Sequence, residues 1–155
     1  MKSPFDSSLN VAILRIVSHL LPEGFDVSDE APDTYEKLRA HLCAGKRMVV
    51  WSGGSEATVY GHRSVNFAFR AWHDFCHWRG DYDFTLEGET AACEMQCQHL
   101  YEFYGDCERT RDWCSLLRAE VIGQALFFHR HKRFPEDQRS FVAAYLFDRD
   151  IALIG

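Results

Sequence analysis

Arg63-Ser-Val-Asn-Phe-Ala-Phe-Arg-Ala-Trp-His-Asp-Phe-Cys-His-Trp-Arg79 is the stretch from which the rest of the chain can be read. Val65, Phe69, Trp72 and Cys76 recur at intervals of four, three and four residues, the period of one helix face. A second stripe lies beside it, Asn66, Arg70, His73 and His77, at the same spacing. A solvated face carries mostly Lys, Glu and Ala. This stripe carries hydrogen-bonding and metal-ligating groups set among aromatics. The spacing predicts a helix over 63–79, ending at Gly80, with two imidazoles at i and i+4 that reach a common point, as they do in helical zinc and iron sites.

Outward from this helix the pattern stays helical. Residues 9–21 form an apolar helix closed by Pro22 and Gly24, and a polar loop follows. Asp33, with Glu36 three residues on, predicts a capping box for a helix over 34–44 that stops at Gly45. Residues 47–52 and 56–60 read as two strands joined through Gly53-Gly54 in a hairpin turn. Trp51-Ser-Gly-Gly-Ser-Glu56 lacks the Gly-Lys-Ser/Thr end of a phosphate loop and is expected to flank the mouth of a site built on the following helix. Beyond Gly80, Thr85 caps a helix over 86–104, a helix follows over 109–131, and Pro135 opens a last one that runs to Phe147. The apolar tail 151–154 is expected to pack back on the body. The fold class is therefore mainly α: an antiparallel helical bundle with a small β-hairpin before the central, His-bearing helix, formed as one domain over residues 1–155.

Bulk composition narrows the function. An apolar content of 46% and a charged content of 26% are ordinary for a globular chain, which excludes a disordered or low-complexity protein. A net charge of −6 without a basic stripe makes nucleic acid an unfavourable partner. The run Arg130-His131-Lys132-Arg133 reads as complementation of a helix C-terminus. No apolar run approaches the roughly 20 residues of a membrane span. The cysteines at 43, 76, 93, 97, 107 and 114 form no Cys-x-x-Cys pair, and Met1 to Asn10 lacks the basic start and apolar core of a signal peptide. The expectation is a cytoplasmic protein with reduced, interior thiols.

Two histidines need a further ligand, and facing helices supply carboxylates in such sites. On the helix over 109–131, Glu120 and Gln124 fall on the side defined by Trp113, Leu117 and Val121, where an ionised carboxylate is costly unless paired or metal-bound. On the helix over 86–104, Glu89 aligns with Cys93, Cys97 and Leu100. The expected metal ligands are His73, His77, Glu89 and Glu120, a donor set suited to zinc, iron or manganese. Asp74 is expected to act as a proton acceptor or to orient the ligands, Gln124 to position water, and Asn66 and Arg70 to bind a small-molecule substrate.

His73-Asp74-Phe75-Cys76-His77 resembles motifs of several families over these five residues. The adjacent His-Asp is similar to the core of the HD-domain phosphohydrolases, which implies a helical, metal-dependent hydrolase; that family also uses an upstream His, for which His62 is near, and a downstream Asp that finds no buried face here. The spacing resembles that of the His-Glu-x-x-His zinc peptidases, with Asp74 in place of the Glu, and that of membrane desaturases. Ferritin-like di-iron proteins use Glu-x-x-His, which does not occur in this chain. The resemblance assigns no one family. The residues point first to a metal-dependent hydrolase with an activated water. A non-haem iron oxidase or oxygenase on the same ligands is the alternative, and a non-enzymatic acidic helical protein that binds a partner protein or a second copy of itself is the third reading.

Overall fold

A computed structural model of the chain describes residues 3–55 and 57–155. It is mainly helical. Helix α1 (Ser7–Leu20) is followed by β1 (Asp26–Ser28), α2 (Tyr35–Cys43), β2 (Val49–Trp51), α3 (Arg63–Gly80) and α4 (Leu86–Tyr104). Then come α5 (Glu108–Arg118), a π-helical turn (Ala119–Gly123), α6 (Gln124–His131), α7 (Gln138–Phe147) and α8 (Arg149–Ile154). Among the described residues no helix is long and apolar enough to cross a membrane.

Helix α3 is the centre of the molecule. Val65, Phe69, Trp72 and Cys76 enter a core shared with α1 and α4, where Ile13, Ile16, Cys93 and Leu100 meet them. Trp72 is wholly buried, and burial of such a side chain contributes roughly 1.5–3 kcal/mol. Ala71, on the other side of α3, joins Tyr35, Leu38, Met48 and Val50 in a second, smaller core under α2 and the sheet. A helix clamped on both sides holds its remaining stripe at a fixed angle.

The ends are set by side chains. Asp6 caps α1, accepting from the Ser8 and Leu9 amides, and also accepts from Trp113 Nε1 at 3.1 Å, which ties α1 to α5. Thr34, rather than Asp33, caps α2: its hydroxyl accepts from the Lys37 amide while Asp33 pairs with the Lys37 ammonium at 2.8 Å. Thr85 caps α4. The last long helix starts at Gln138 with Asp137 as its cap, so Pro135 lies in the preceding loop and not at the first helical position. At the far end, Arg130 and His131 donate to the Leu153 carbonyl, and Ala152 and Leu153 are buried.

The expected hairpin is replaced by a parallel pair. Strand β2 runs beside β1 with Asp26, Val27 and Ser28 opposite Val49, Val50 and Trp51. Helix α2 makes the crossover that a parallel pair requires. Of the second predicted strand, Glu56 lies outside the described residues and 57–60 form turns. The reason lies in α3: Arg70 takes the carbonyls of Trp51, Gly53 and Gly54, and Asn66 donates to Ser55 Oγ. Those bonds fold the Gly53-Gly54 segment onto the helix instead of into a two-residue turn. The helix expected over 109–131 runs without a gap from Glu108 to His131, with the π turn at its middle widening it locally.

Candidate metal centre

The site is built where α3 meets the start of α4. Helix α3 ends with Asp81 in the left-handed region (φ 54°), a conformation Asp tolerates better than most residues. That turn brings the Tyr82 amide back to the His77 carbonyl at 2.8 Å and sets the Tyr82 carbonyl 2.9 Å from His77 Nδ1. Thr85 then starts α4, so Glu89 falls in the first turn, where the helix dipole favours a carboxylate. Gly88 makes the close approach possible, because a Cβ there would lie 1.8 Å from the Asp83 carbonyl oxygen.

Three atoms converge. His73 Nε2 is 2.7 Å from Glu89 Oε2, His77 Nε2 is 3.2 Å from the same oxygen, and the two Nε2 atoms are 3.0 Å apart. The opposite ring nitrogens are already engaged. His77 Nδ1 donates to the Tyr82 carbonyl, and His73 Nδ1 donates to Gln96 Oε1 at 2.8 Å. Each Nε2 therefore presents a lone pair in the neutral ring, toward a carboxylate oxygen that also only accepts. Three lone-pair atoms this close call for a positive centre among them, a metal ion or a proton on an imidazole. Ligand atoms bonded at about 2.0–2.1 Å to one ion, about 90–110° apart, are separated by about 2.9–3.4 Å. The triangle matches that spacing within a few tenths of an ångström, so these residues fit a metal ion. His77 is fully buried beneath the triangle, while His73 and Glu89 reach the floor of an open cleft of about 1020 Å³.

Without a metal ion, protons on the imidazoles take its place, and the electrostatics describe that state. Burial alone would raise Glu89, but hydrogen bonds from His73 and His77, and their charge, hold its carboxyl at about 2. Burial works against protonation of His73, yet the hydrogen bond and charge of Glu89, with Asp74 and Gln96 behind them, leave it raised. Burial lifts Asp74 to about 6, against the pull of His73, His77 and Arg70. Glu120 is lifted to about 7, again by burial, which outweighs Gln124, Arg70 and His73.

The structure brings His73, His77 and Glu89 together and sets Glu120 apart from them. Glu120 is buried in the wall of the same cleft, with Oε2 lacking a hydrogen-bond partner among the described residues. Gln124 lines the cleft beside it. Asp74 is half-buried and outside the cleft lining. Asn66 and Arg70 do line it, and both also hold the Trp51–Ser55 loop. Two contributors escaped the sequence reading. The Tyr82 carbonyl depends on a turn that no side-chain pattern announces. Gln96, fully buried, lies seven residues after Glu89 and so on the same face of α4, a spacing that marks it in retrospect. Comparison of the chain with known protein families, curated proteins and solved structures finds no match in any of the three.

Proposed function

We propose that this protein is a metal-dependent hydrolase that holds a divalent ion on His73, His77 and Glu89, inside what we read as an antiparallel helical bundle, and acts on a small molecule bound in the adjoining cleft. The observation that carries the reading is the triangle of lone-pair atoms, with both histidine Nδ1 atoms already committed to carbonyl oxygens. Zinc, iron or manganese suits two nitrogens and a carboxylate, and supplies Lewis acidity together with a lowered pKa for water.

Glu120 favours hydrolysis over other uses of such an ion. A carboxyl pushed up to about 7 at the edge of a cleft is matched to proton transfer near neutrality. In the reaction we propose, the oxygen of water bonds to the electrophilic carbon or phosphorus of an ester or amide. Ionised Glu120 takes the proton that this water loses. The bond to the leaving oxygen or nitrogen breaks, and Glu120 returns the proton to it. Gln124 positions the water or the substrate oxygen. Asp74 adds negative charge next to His73, which strengthens cation binding at the triangle. The six cysteines are all unpaired, four of them buried, which suits a reducing cytoplasm as the compartment.

The test is metal content by plasma mass spectrometry on tag-free protein, with cleavage of nitrophenyl esters and phosphates assayed with and without a chelator. One zinc, manganese or iron per chain, lost in His73→Ala and His77→Gln, with chelator-sensitive cleavage, is the expected result. Unchanged metal content in both variants removes the site. The same donor set also suits non-haem iron and oxygen; iron occupancy with oxygen uptake and no ester cleavage moves the assignment to an oxidase.

A further inference from the structure

Trp51, Phe84, Phe128 and Phe134 remain 54%, 36%, 43% and 59% exposed, and all four line the cleft above the metal ligands. Single apolar side chains on a surface are ordinary; four large ones gathered round one opening mark a place that something apolar covers. They are arranged as ring surfaces. Phe128 and Phe134 lie with centroids 4.8 Å apart and planes at 32°. Phe84 meets the His77 ring edge-on at 4.8 Å, so the aromatic wall begins at the ligand triangle. Trp51 lies under the Arg70 guanidinium at 5.5 Å.

The charges of the cleft do not balance in the way its acidic residues suggest. Asp33 is paired with Lys37. Glu89 is bound by two imidazoles. Glu120 is held largely uncharged below about 7 by its burial. Glu87 is left at the rim. Arg70 is half-buried, bonded only to the carbonyls of Trp51, Gly53 and Gly54, with no ion pair among the described residues. Asp74 and Glu120 act on this guanidinium through charge but neither forms an ion pair with it, so a direct contact is still to be gained from an incoming anion. Lys132 stands at the end of α6 on the same cleft, also without an ion pair among the described residues.

We infer that the cleft binds an aromatic anion: a flat ring system seated against Trp51, Phe84 and the Phe128–Phe134 pair, with a carboxylate or phosphate group facing Arg70 and Lys132. What happens to the bound molecule rests on the hydrolase reading; the binding does not. A cleft of about 1020 Å³ accommodates a ligand of this size with room for a second substituent over the triangle.

Calorimetric titration of the full chain, metal-free and zinc-loaded, tests this with four probes: naphthoate, naphthyl phosphate, naphthylmethanol and cyclohexanecarboxylate. The two aromatic anions are expected to bind at least about tenfold more tightly than the neutral arene and the non-aromatic acid. Whichever of the two is tighter identifies the acidic group. Trp51→Ala is expected to weaken naphthoate about fivefold to tenfold. Lys132→Asn, chosen because Asn tolerates the left-handed backbone at 132 (φ 58°), is expected to weaken the anions and leave naphthylmethanol unchanged. Equal affinity for the anion and the neutral arene, or no arene binding by a folded protein that holds zinc, overturns the inference and leaves the metal reading standing. Tight binding of aromatic anions by a protein that takes up no metal overturns the hydrolase and keeps the inference.

Discussion

At His73 and His77 the free nitrogen is chosen from outside the triangle. The Tyr82 carbonyl and Gln96 Oε1 each take an Nδ1 hydrogen, which leaves both Nε2 atoms to face Glu89. Gln96 thus matters without touching the ion. Gln96→Ala is expected to weaken zinc binding by about 10–100-fold, the usual effect of losing such a partner, while Gln96→Glu restores an acceptor and most of the affinity. Competition with a chromophoric zinc chelator measures both; equal affinity in wild type and Gln96→Ala would show that His73 is oriented by packing alone. Glu120 makes a different prediction, for the metal-free protein. Its folded-state value of about 7 stands above the ordinary 4.5, so the folded state holds that proton more tightly than the unfolded state does. The stabilisation is fully present below about 4.5 and is lost as pH rises through about 7. Glu120→Gln keeps the shape and removes the titration, so at about pH 8 the variant should be more stable than wild type by roughly 1–3 kcal/mol, with little difference at about pH 5. Urea denaturation in a chelator reads this directly, and equal stability at the higher pH would mean that Glu120 is ionised without cost. The His pair was legible because i and i+4 spacing alone places two rings together. The separation of Glu120 from the triangle was not, because it depends on where α5 and α6 sit against α4.

The elements explain which side chains could be placed in advance. Helices α3 and α4 carry long apolar stripes and local stop signals, and their predicted ranges of 63–79 and 86–104 stand within a residue of those observed. The sheet was misread because β1 is a three-residue segment in a polar loop, without alternation, and its partner lies 23 residues away at Val49. Strand pairing of that kind is decided by tertiary contacts, here by Arg70 and Asn66 of α3, rather than by local pattern. The π turn was equally silent in the sequence. It sits in an unbroken helical run and contains Glu120, as π-helical turns often do at functional positions. Gly123 within it meets Phe141 and Tyr145 of α7 so closely that an added Cβ would lie 3.1 Å from the Tyr145 ring. The sharpest constraint at this scale is Gly88. A methyl group there collides with the Asp83 backbone, so Gly88→Ala must displace the first turn of α4 and Glu89 with it. The expected result is a loss of about 1–3 kcal/mol in stability together with weaker zinc binding. Thermal unfolding and a zinc titration on the same sample check the pair, and a variant unchanged in both would show that the 83–88 turn yields freely.

For the whole molecule, the triangle joins α3 to α4, the two helices that carry much of the main core. An ion held there binds the folded chain and not the unfolded one, so binding free energy becomes folding free energy. At a free zinc concentration about a hundred times its dissociation constant the gain is about 2.7 kcal/mol. For a chain of this length that is a rise in Tm of about 5–10 °C. The pH dependence follows from competition. Protons compete with the ion for the imidazole lone pairs, so added zinc should change Tm progressively more as pH rises from about 5 to about 8. The metal-free protein runs the other way, since the Glu120 proton stabilises it in mild acid. Tm measured across this range should therefore fall with pH in a chelator and hold level or rise with zinc. In Glu89→Ala the two curves should coincide, because the triangle has lost the corner that α4 contributes. A zinc-dependent rise that survives both Glu89→Ala and His73→Ala would place the ion elsewhere on the chain and remove the metal centre from α3 and α4.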